Sequence, residues 1–419
     1  MRSLKRYIPD GMQDILFNEC DIKNNIENQL RNIFINNGFK QIISPTLEFY
    51  DVFNGKNVFI EQEQMYKLFD SSGRILALRP DMTTPIARIV STKLKNMTYP
   101  LKLYYISNIF RVNQSLQGKL SEITQAGVEI IGCNNINADV EAIIIAINTF
   151  LSLNVKDFKI EIGESNLFKT IAKDLDLNEE DFDKLKKLIE NKNFSILNEF
   201  LDSRKKDIKD EHIKLLKKLP ELFGGCEVLD KVKELTSNYK VLESLENIKK
   251  VYKVLKSIGL DKYLSIDLGM VQNIDYYTGI IFRGYGSGLG KEILTGGRYD
   301  NLIGKFGFNT PATGFAININ NLMEILRENY TSKNLDFLIH CEERFCIEGY
   351  NLCMKIRKSN RICEFSLSCN KEEALKYAKF KHIKYFIYIN NKENIEIINV
   401  YNNEKFYSKI ENFNWEALE

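Results

Sequence analysis

The sequence predicts an α+β fold in which a sheet is flanked by helices, with a helical insertion and a small C-terminal α/β domain. Three observations predict this fold. Strand-like runs alternate with amphipathic helices before residue 165, residues 165–259 contain almost no β-patterned run, and short strands and helices alternate after residue 331. Because 419 residues exceed the usual size of one hydrophobic core, two or three domains are expected.

The elements of the first region follow from apolar spacing. Apolar residues recur at helical spacing in residues 21–37, and Gly38 is placed to end that helix. A strand over 41–44 stops at Pro45. Residues 139–150 predict an apolar helix with acidic residues in its first turn, where the helix dipole favours them. Further strands are predicted at 75–78, 103–106, 127–131 and 158–162.

The helical insertion precedes more strands and then the C-terminal unit. Lysine, glutamate and leucine recur with helical periodicity through the insertion, and only Pro220 interrupts them. Strands and one helix follow, at 264–268, 280–285, 313–317 and 320–328. The C-terminal unit is predicted to contain strands at 336–340, 362–366, 385–389 and 395–401 and helices at 348–358 and 371–379. The predicted domains are therefore 1–328 and 332–419.

Composition narrows the class of function. With 58 basic and 56 acidic residues, the chain has no broad electrostatic footprint for nucleic acid. No apolar run reaches the roughly 18 residues of a membrane span, and the N-terminus has no signal-peptide core, so we expect a cytoplasmic protein. The eight cysteines form no Cys-x-x-Cys pair and the three histidines lie far apart. Neither a metal site, a disulfide framework nor a cofactor is predicted.

Two short segments carry side chains suited to a small polar ligand. Asp81 and Thr83 offer a carboxylate and a hydroxyl at a proline-punctuated strand end, which suits an ammonium group. Gln125 and Glu129 lie four residues apart in a predicted strand, so they share a face and can converge on one ligand. Taken alone, a surface turn explains the first segment better, and a solvated strand edge explains the second better.

A glycine-rich region follows the insertion. Gly296 and Gly297, before Arg298, permit close approach of the backbone, and the glycines in 284–290 indicate a mobile loop. Residues 286–290 do not match the dinucleotide-binding fingerprint, and the sequence contains no Walker loop. Nucleotide binding therefore has no support from local motifs.

Seven motifs in the same order carry a family resemblance. They are Ile8–Asp14, Leu78–Thr83, Phe110–Arg111, Gln125–Gly132, Asp275–Gly279, Gly296–Asp300 and Pro311–Ala316. Over residues 5–328, the chain resembles the catalytic core of histidyl-tRNA synthetases, which have the antiparallel sheet of the class II aminoacyl-tRNA synthetase fold. It resembles more closely the histidyl-tRNA-synthetase-like regulatory subunits of ATP phosphoribosyltransferase.

The resemblance implies a pocket for histidine. Asp81, Thr83 and Gln125 are implied to hold the α-ammonium group, while Glu129 and Tyr277 are implied to bind the two imidazole nitrogens. The chemistry agrees, because an imidazole has two polar edges and a pocket that satisfies both rejects isosteres lacking either.

The same resemblance assigns roles to three further residues. Tyr276 and Tyr299 are implied to form its walls, although for Tyr276 a packed core aromatic is an equal alternative. Arg111 is implied to be retained from the second class II motif. It either contacts an anion or makes a structural ion pair.

The departures from the synthetase pattern lie on the ATP side. Asn113 stands where the synthetases have glutamate, and Ser121, Gln272 and Asn321 stand where they have arginine. Those charged groups bind ATP and neutralise the phosphate during adenylate formation, which depends on electrostatic stabilisation. Losing one such group costs about 3 kcal/mol of transition-state stabilisation, so adenylation is expected to be lost.

These features predict a non-catalytic regulatory subunit. The resemblance implies that its partner is the short-form catalytic subunit of ATP phosphoribosyltransferase, that L-histidine is its effector, and that it forms a homodimer within a hetero-oligomer. Residues 332–419 resemble a shortened anticodon-binding domain, but tRNA binding is not expected because no basic stripe is present. The alternatives are an active histidyl-tRNA synthetase and a histidine sensor that acts on another partner.

Overall fold

The computed structural model describes residues 4–54, 60–113, 119–173, 175, 177–204, 210–271, 277–327 and 335–418. The chain forms two compact units, Met1–Tyr330 and Thr331–Glu419. Each unit has buried apolar clusters of its own. No helix in the described ranges is long and apolar enough to cross a membrane.

A large mixed sheet is the frame of the first unit. The strands of this unit are β1 (Lys40–Gln41), β2 (Leu47–Phe49), β3 (Lys67–Phe69), β4 (Ile75–Leu78), β5 (Leu101–Phe110), β6 (Glu122–Ile131), β7 (Lys159–Glu164), β8 (Phe223–Gly224), β9 (Leu264–Asp267), β10 (Ile280–Tyr285), β11 (Leu294–Arg298) and β12 (Ala312–Asn318). Over the described residues, nine of them form one sheet in the order β1-β5-β6-β12-β11-β10-β7-β9-β8. Its strands are mainly antiparallel, as predicted. The pairs β1 with β5 and β7 with β9 are parallel, because a crossover separates the two strands of each pair.

Helices cover one face of this sheet. The helices of the first unit are α1 (Asn18–Asn36), α2 (Thr83–Ile89), α3 (Ile136–Ser152), α4 (Ser165–Lys173), α5 (Glu179–Glu190), α6 (Phe194–Ser203), α7 (Asp210–Lys218), α8 (Glu227–Lys233), α9 (Tyr239–Ser257) and α10 (Ile319–Leu326). The predicted helical insertion is confirmed as α4 to α9, with the short β8 inside it. Phe34 of α1 and Phe150 of α3 pack in one apolar core with Phe282 and Phe315 of the sheet.

Strand β6 shows how the two faces differ. Ala126, Val128 and Ile130 point into the helix-covered core. Successive strand residues alternate between faces, so Gln125 and Glu129 point to the opposite side. On that side a second apolar cluster contains α2 residues and aromatic side chains such as Tyr105 and Tyr299. The sheet therefore separates a structural core from the face that carries the candidate site.

Four local elements were not predicted from sequence. Strands β2 and β3 flank β4 in a separate small sheet, and each has only three residues, too few to show a period. Helix α2 begins where a turn was expected. Its start accommodates Pro85 because a first-turn residue needs no amide donor. Gly296 and Gly297 lie in strand β11 rather than in a loop.

The second unit is a five-stranded sheet over its described residues, with a helix on each face. Its elements are β13 (Phe337–Cys341), α11 (Cys346–Lys358), β14 (Cys363–Phe365), α12 (Lys371–Phe380), β15 (Tyr385–Ile389), β16 (Asn394–Asn399) and β17 (Lys405–Lys409), with the strand order β14-β13-β15-β16-β17. Leu352 of α11 packs on one face with Ile339. Ala374 of α12 packs on the other face with Leu338. Alternating apolar residues of β13 thus pack against a different helix on each side of the sheet.

Candidate functional site

A cavity of about 330 Å³ lies over the face of the sheet that carries Gln125 and Glu129. The strand register pairs Gln125 with Asn318 and Glu129 with Gly314, which confirms that the two β6 residues share a face. The predicted site residues that line this cavity are Asp81, Thr83, Arg111, Gln125, Glu129, Tyr277 and Tyr299. Side chains that are far apart in the sequence are therefore brought to one pocket.

Two glycines allow the polar side chains to approach the sheet closely. A Cβ atom on Gly314 would lie 2.1 Å from Oε2 of Glu129. A Cβ atom on Gly297 would lie 2.9 Å from the ring of Tyr277. Larger residues at either position would displace these side chains, so the glycines define the floor of the cavity.

Glu129 is the centre of a buried hydrogen-bond network. Its Oε1 accepts a hydrogen bond from Thr83 Oγ1 at 3.1 Å, and its Oε2 accepts one from the Tyr299 hydroxyl at 2.5 Å. Burial, with a smaller contribution from the charge of Asp81, raises the pKa of Glu129 to about 8, although the hydrogen bonds from Tyr299 and Thr83 oppose this shift. This carboxyl group can therefore exchange a proton near neutral pH.

Asp81 lines the cavity and has one carboxylate oxygen without a hydrogen bond among the described residues. Its Oδ2 accepts hydrogen bonds from the Thr84 amide at 2.9 Å and from the Thr84 hydroxyl at 3.0 Å. Its Oδ1 is buried and makes no hydrogen bond within the described part of the chain. Burial raises the pKa of Asp81, while the Thr84 hydrogen bonds and the charge of Arg111 lower it. A buried acceptor of this kind suits an ammonium donor.

Tyr105 is a buried partner of the cavity residue Gln125 that the sequence analysis missed. It is fully buried, and its hydroxyl donates a hydrogen bond to Gln125 Oε1 at 3.5 Å. Tyr105 lies opposite Gly127, where a Cβ atom would come within 2.5 Å of the tyrosine hydroxyl. A glycine inside an otherwise apolar strand was the signal, because it often marks a close approach of another group.

Tyr277 is held from the helical insertion. Its side chain is buried against the cavity, and its backbone carbonyl accepts a hydrogen bond from Lys169 Nζ of α4 at 2.6 Å. The next residues are also tied to α4, since Asn166 Nδ2 donates to the Thr278 carbonyl at 2.6 Å and the Ser165 amide donates to the Gly279 carbonyl at 3.0 Å. Helix α4 therefore positions the strand entry that carries Tyr277.

An ion pair between the insertion and the sheet also lines the cavity. Arg283 Nη2 of β10 lies 2.6 Å from Oε1 of Glu190, the last residue of α5. Both side chains are largely buried and face the cavity. Sequence reasoning missed both residues, because 93 positions separate them and no local motif joins them.

A second cavity, of about 580 Å³, adjoins the first and shares Arg111 and Gln125 with it. Asn113 and Asn321 line it, and their amide groups donate to backbone carbonyls, with Asn321 Nδ2 lying 2.8 Å from the Glu292 carbonyl. Arg111 Nε donates to the Pro80 carbonyl at 2.8 Å. The two asparagines therefore act as neutral hydrogen-bonding groups at the positions where the resemblance implied lost charges.

Among the described residues, one further predicted position, Ser121, lines neither cavity. Ser121 is buried beside Gly11, and its amide donates to the Gly11 carbonyl at 2.7 Å. Gln272 and Tyr276 lie outside the residues that the structure describes. Within the described ranges, no group of three His, Cys, Asp or Glu side chains could hold a metal ion.

Comparison with known proteins agrees with this architecture. Residues 11–322 match the family model described as histidyl-tRNA synthetase. An ATP phosphoribosyltransferase regulatory subunit from Clostridium novyi is 51% identical over 99% of each chain. One from Bacillus cereus (strain AH187) is 41% identical over 95% of each chain.

A solved structure shares the fold over most of its length. An ATP phosphoribosyltransferase regulatory subunit/histidyl-tRNA synthetase from Bacillus halodurans superposes with a TM-score of 0.82 at 32% identity, covering 93% of this chain and 100% of the other. The expected class II synthetase-like fold is therefore confirmed. These two regulatory subunits match nearly the full length of the chain at 51% and 41% identity. The chain therefore belongs to the histidyl-tRNA-synthetase-like family of ATP phosphoribosyltransferase regulatory subunits.

Proposed function

We propose that this regulatory subunit binds L-histidine in the 330 Å³ cavity and transmits its occupancy to a short-form catalytic subunit of ATP phosphoribosyltransferase. The observation that carries the proposal is the buried Glu129 carboxyl, whose pKa of about 8 suits proton sharing with an imidazole. Glu129 binds one imidazole nitrogen, and the Tyr277 hydroxyl binds the other. Thr83 and Tyr299 hold Glu129 in place through their hydrogen bonds.

The second polar group of the ligand is recognised by Asp81. Oδ1 of Asp81 has no hydrogen-bond partner among the described residues and lies at a cavity wall. An α-ammonium group supplies the missing donor and also favours the ionised form of Asp81, whose pKa burial raises. Gln125 supplies an amide acceptor on the same face of the sheet. The cavity thereby selects an amino acid over a simple imidazole.

The chain does not carry out adenylation in this proposal. Asn113 and Asn321 place neutral amides in the adjoining cavity at two positions where the resemblance implies charged groups that bind ATP, and adenylation depends on such groups. Ser121 and Gln272 extend the same loss of charge along the sequence. Arg111 keeps the carbonyl of Pro80 as a partner and balances the charge of Asp81.

A homodimer is supported by an apolar surface on the small sheet. The register aligns Phe49, Leu76 and Leu68 in one row across β2, β4 and β3. Phe49 is 45% exposed and Leu68 is 42% exposed. An exposed apolar row on a short three-stranded sheet is typical of a surface that another chain covers. We propose that a second copy of the chain covers this surface. In this proposal the C-terminal unit is a reduced anticodon-binding domain that does not contact tRNA.

Histidine binding and adenylation can be measured on the same preparation. Isothermal titration calorimetry is expected to show binding of L-histidine that Glu129→Gln weakens by about tenfold or more, because a hydrogen bond to a charged partner is lost. Pyrophosphate exchange with histidine and ATP is expected to remain at background. Exchange well above background would instead identify an active synthetase, and an absence of histidine binding would remove the proposal.

A further inference from the structure

Glu190 of α5 already places a carboxylate inside the proposed ligand cavity. Its Oε1 lies 2.6 Å from Arg283 Nη2, and both residues line the cavity wall. Arg283 Nε is buried and makes no hydrogen bond within the described residues, so the guanidinium has unused donor capacity. A guanidinium that lines a cavity and has donors beyond those that one carboxylate uses can bind a second carboxylate.

The sheet places this subsite at a ligand-sized distance from Glu129. Glu129 aligns with Gly314, Gly297 and Ile281 across four neighbouring strands, and Arg283 follows Ile281 by two residues on the same face. Three strand spacings separate the two chain axes, which is about 14 Å. Long side chains reach inward from both ends over a floor of small residues. One end of the cavity thus suits an imidazole and the other suits an anion.

The charges around Arg283 favour exchange over simple addition. The charges of Glu161 and Glu292 also act on this guanidinium. Glu161 pairs with Arg283 in the register of β7 and β10 and is therefore held by the sheet. A fourth carboxylate brought by a ligand is accommodated best if one resident carboxylate withdraws. Glu190 can withdraw, because it is the last residue of α5 and not part of the sheet.

We infer that Arg283 recognises the carboxylate of the bound amino acid and that this carboxylate displaces Glu190, which releases the end of α5 from the sheet. The inference rests on the proposed histidine site and adds its carboxylate subsite. It also gives occupancy a structural consequence in the helical insertion. A ligand shifts a conformational equilibrium only through contacts that differ between the two states, and the exchange at Arg283 is such a contact.

The test compares two probes that differ in the carboxylate group. L-Histidine and histamine are titrated calorimetrically into the full chain and into its Arg283→Gln, Glu190→Gln and Arg111→Gln variants. Arg283→Gln is expected to weaken L-histidine binding by about tenfold or more and to change histamine binding by less than about twofold. Glu190→Gln is expected to strengthen L-histidine binding several-fold, because the internal competitor loses its charge.

The outcomes separate this inference from the proposed function. If the unaltered chain binds L-histidine but Arg283→Gln leaves the preference over histamine intact, the inference is overturned and the histidine site stands. An equal loss for both probes, or a preference removed only by Arg111→Gln, also overturns it. If the unaltered chain binds no L-histidine, the result contradicts both this inference and the proposed function. Should Arg283→Gln fail to fold, Arg283→Lys and Glu190→Gln carry the comparison, and an unchanged preference in both contradicts the subsite.

Discussion

Glu129 shows how a single buried residue can define the chemistry of the site. It is 2% exposed, and its pKa is raised to about 8 by burial. Burial also raises the pKa of Tyr105 and Tyr299 above the usual value of tyrosine, so both hydroxyl groups near Glu129 stay neutral at neutral pH. Because a free imidazole has a pKa of about 6.5, the carboxyl and the imidazole of the proposed complex would together hold one shared proton over an intermediate pH range.

The affinity for L-histidine is therefore expected to be highest between about pH 6.5 and pH 8. Below this pH window the free imidazole carries a proton that must be released on binding, which lowers the affinity. Protonation of Asp81 lowers the affinity further. Above it, Glu129 is ionised and the complex must take up a proton. Calorimetric titrations from pH 5.5 to pH 9 measure both the acidic and the alkaline decrease (limb) of this affinity profile. Glu129→Gln should remove the alkaline limb, and an alkaline limb that survives in this variant would contradict the assignment.

Arg298, in the Gly-Gly-Arg motif, supports the fold and does not line the proposed ligand cavity. Its Nη2 lies 2.8 Å from Asp139 Oδ2, and both side chains are nearly fully buried. Its guanidinium also donates to the carbonyls of Cys133 and Asn135. It thereby ties strand β11 to the start of helix α3.

Arg298→Met is expected to lower the free energy of unfolding by about 3–5 kcal/mol, because it leaves the Asp139 carboxylate buried without its charge partner. Urea denaturation measures the change. Arg74→Met is the control, since Arg74 pairs with Asp70 on the surface and is 62% exposed. Similar losses in the two variants would mean that burial of the Arg298 pair is not what stabilises the unit.

At the level of elements, the face of the sheet on which a strand side chain lies could be predicted from sequence. The contacts between elements could not be predicted. Gln125 and Glu129 were placed on one face because side chains alternate along a strand, and the register confirms it. Helix α2 was missed because Pro85 suggested a turn. The contact between Glu190 and Arg283 depends on how the insertion packs on the sheet, which no local pattern encodes.

The contact between α4 and Tyr277 leads to a prediction about an element outside the cavity. Lys169→Met removes the donor to the Tyr277 carbonyl and is expected to weaken L-histidine binding by about fivefold to tenfold, with little change in melting temperature. Lys159→Met is the matched control, because Lys159 Nζ donates to the Lys262 carbonyl at the same 2.6 Å but on an exposed surface. Equal effects of the two substitutions on binding would refute a positioning role for α4.

The apolar row of the small sheet can be tested in the same way. Phe49→Asp places a charge on the exposed row and is expected to shift a dimer towards monomer in analytical ultracentrifugation. Phe380→Asp is a suitable control, because Phe380 is 80% exposed but belongs to the other compact unit. If Phe49→Asp leaves the sedimentation of the chain unchanged, another surface forms the dimer.

At the scale of the whole molecule, the site is assembled from residues spread over most of the first unit. Asp81 enters from the loop before α2, Glu129 from β6, Tyr277 from the segment before β10, and Tyr299 from the end of β11. The sheet order β6-β12-β11-β10 is what brings them together. The family resemblance could predict this pocket as a set of residues, because their order along the chain matches. The role of the insertion could be found only from the fold.

The measurement that tests the central claim most directly is reconstitution with a short-form catalytic subunit of ATP phosphoribosyltransferase. We predict that adding this chain raises the rate of ATP condensation with phosphoribosyl pyrophosphate, and that L-histidine inhibits the complex but not the catalytic subunit alone. Glu129→Gln should keep the activation and lose the inhibition. A catalytic subunit whose rate and histidine response stay the same with and without this chain would contradict the account.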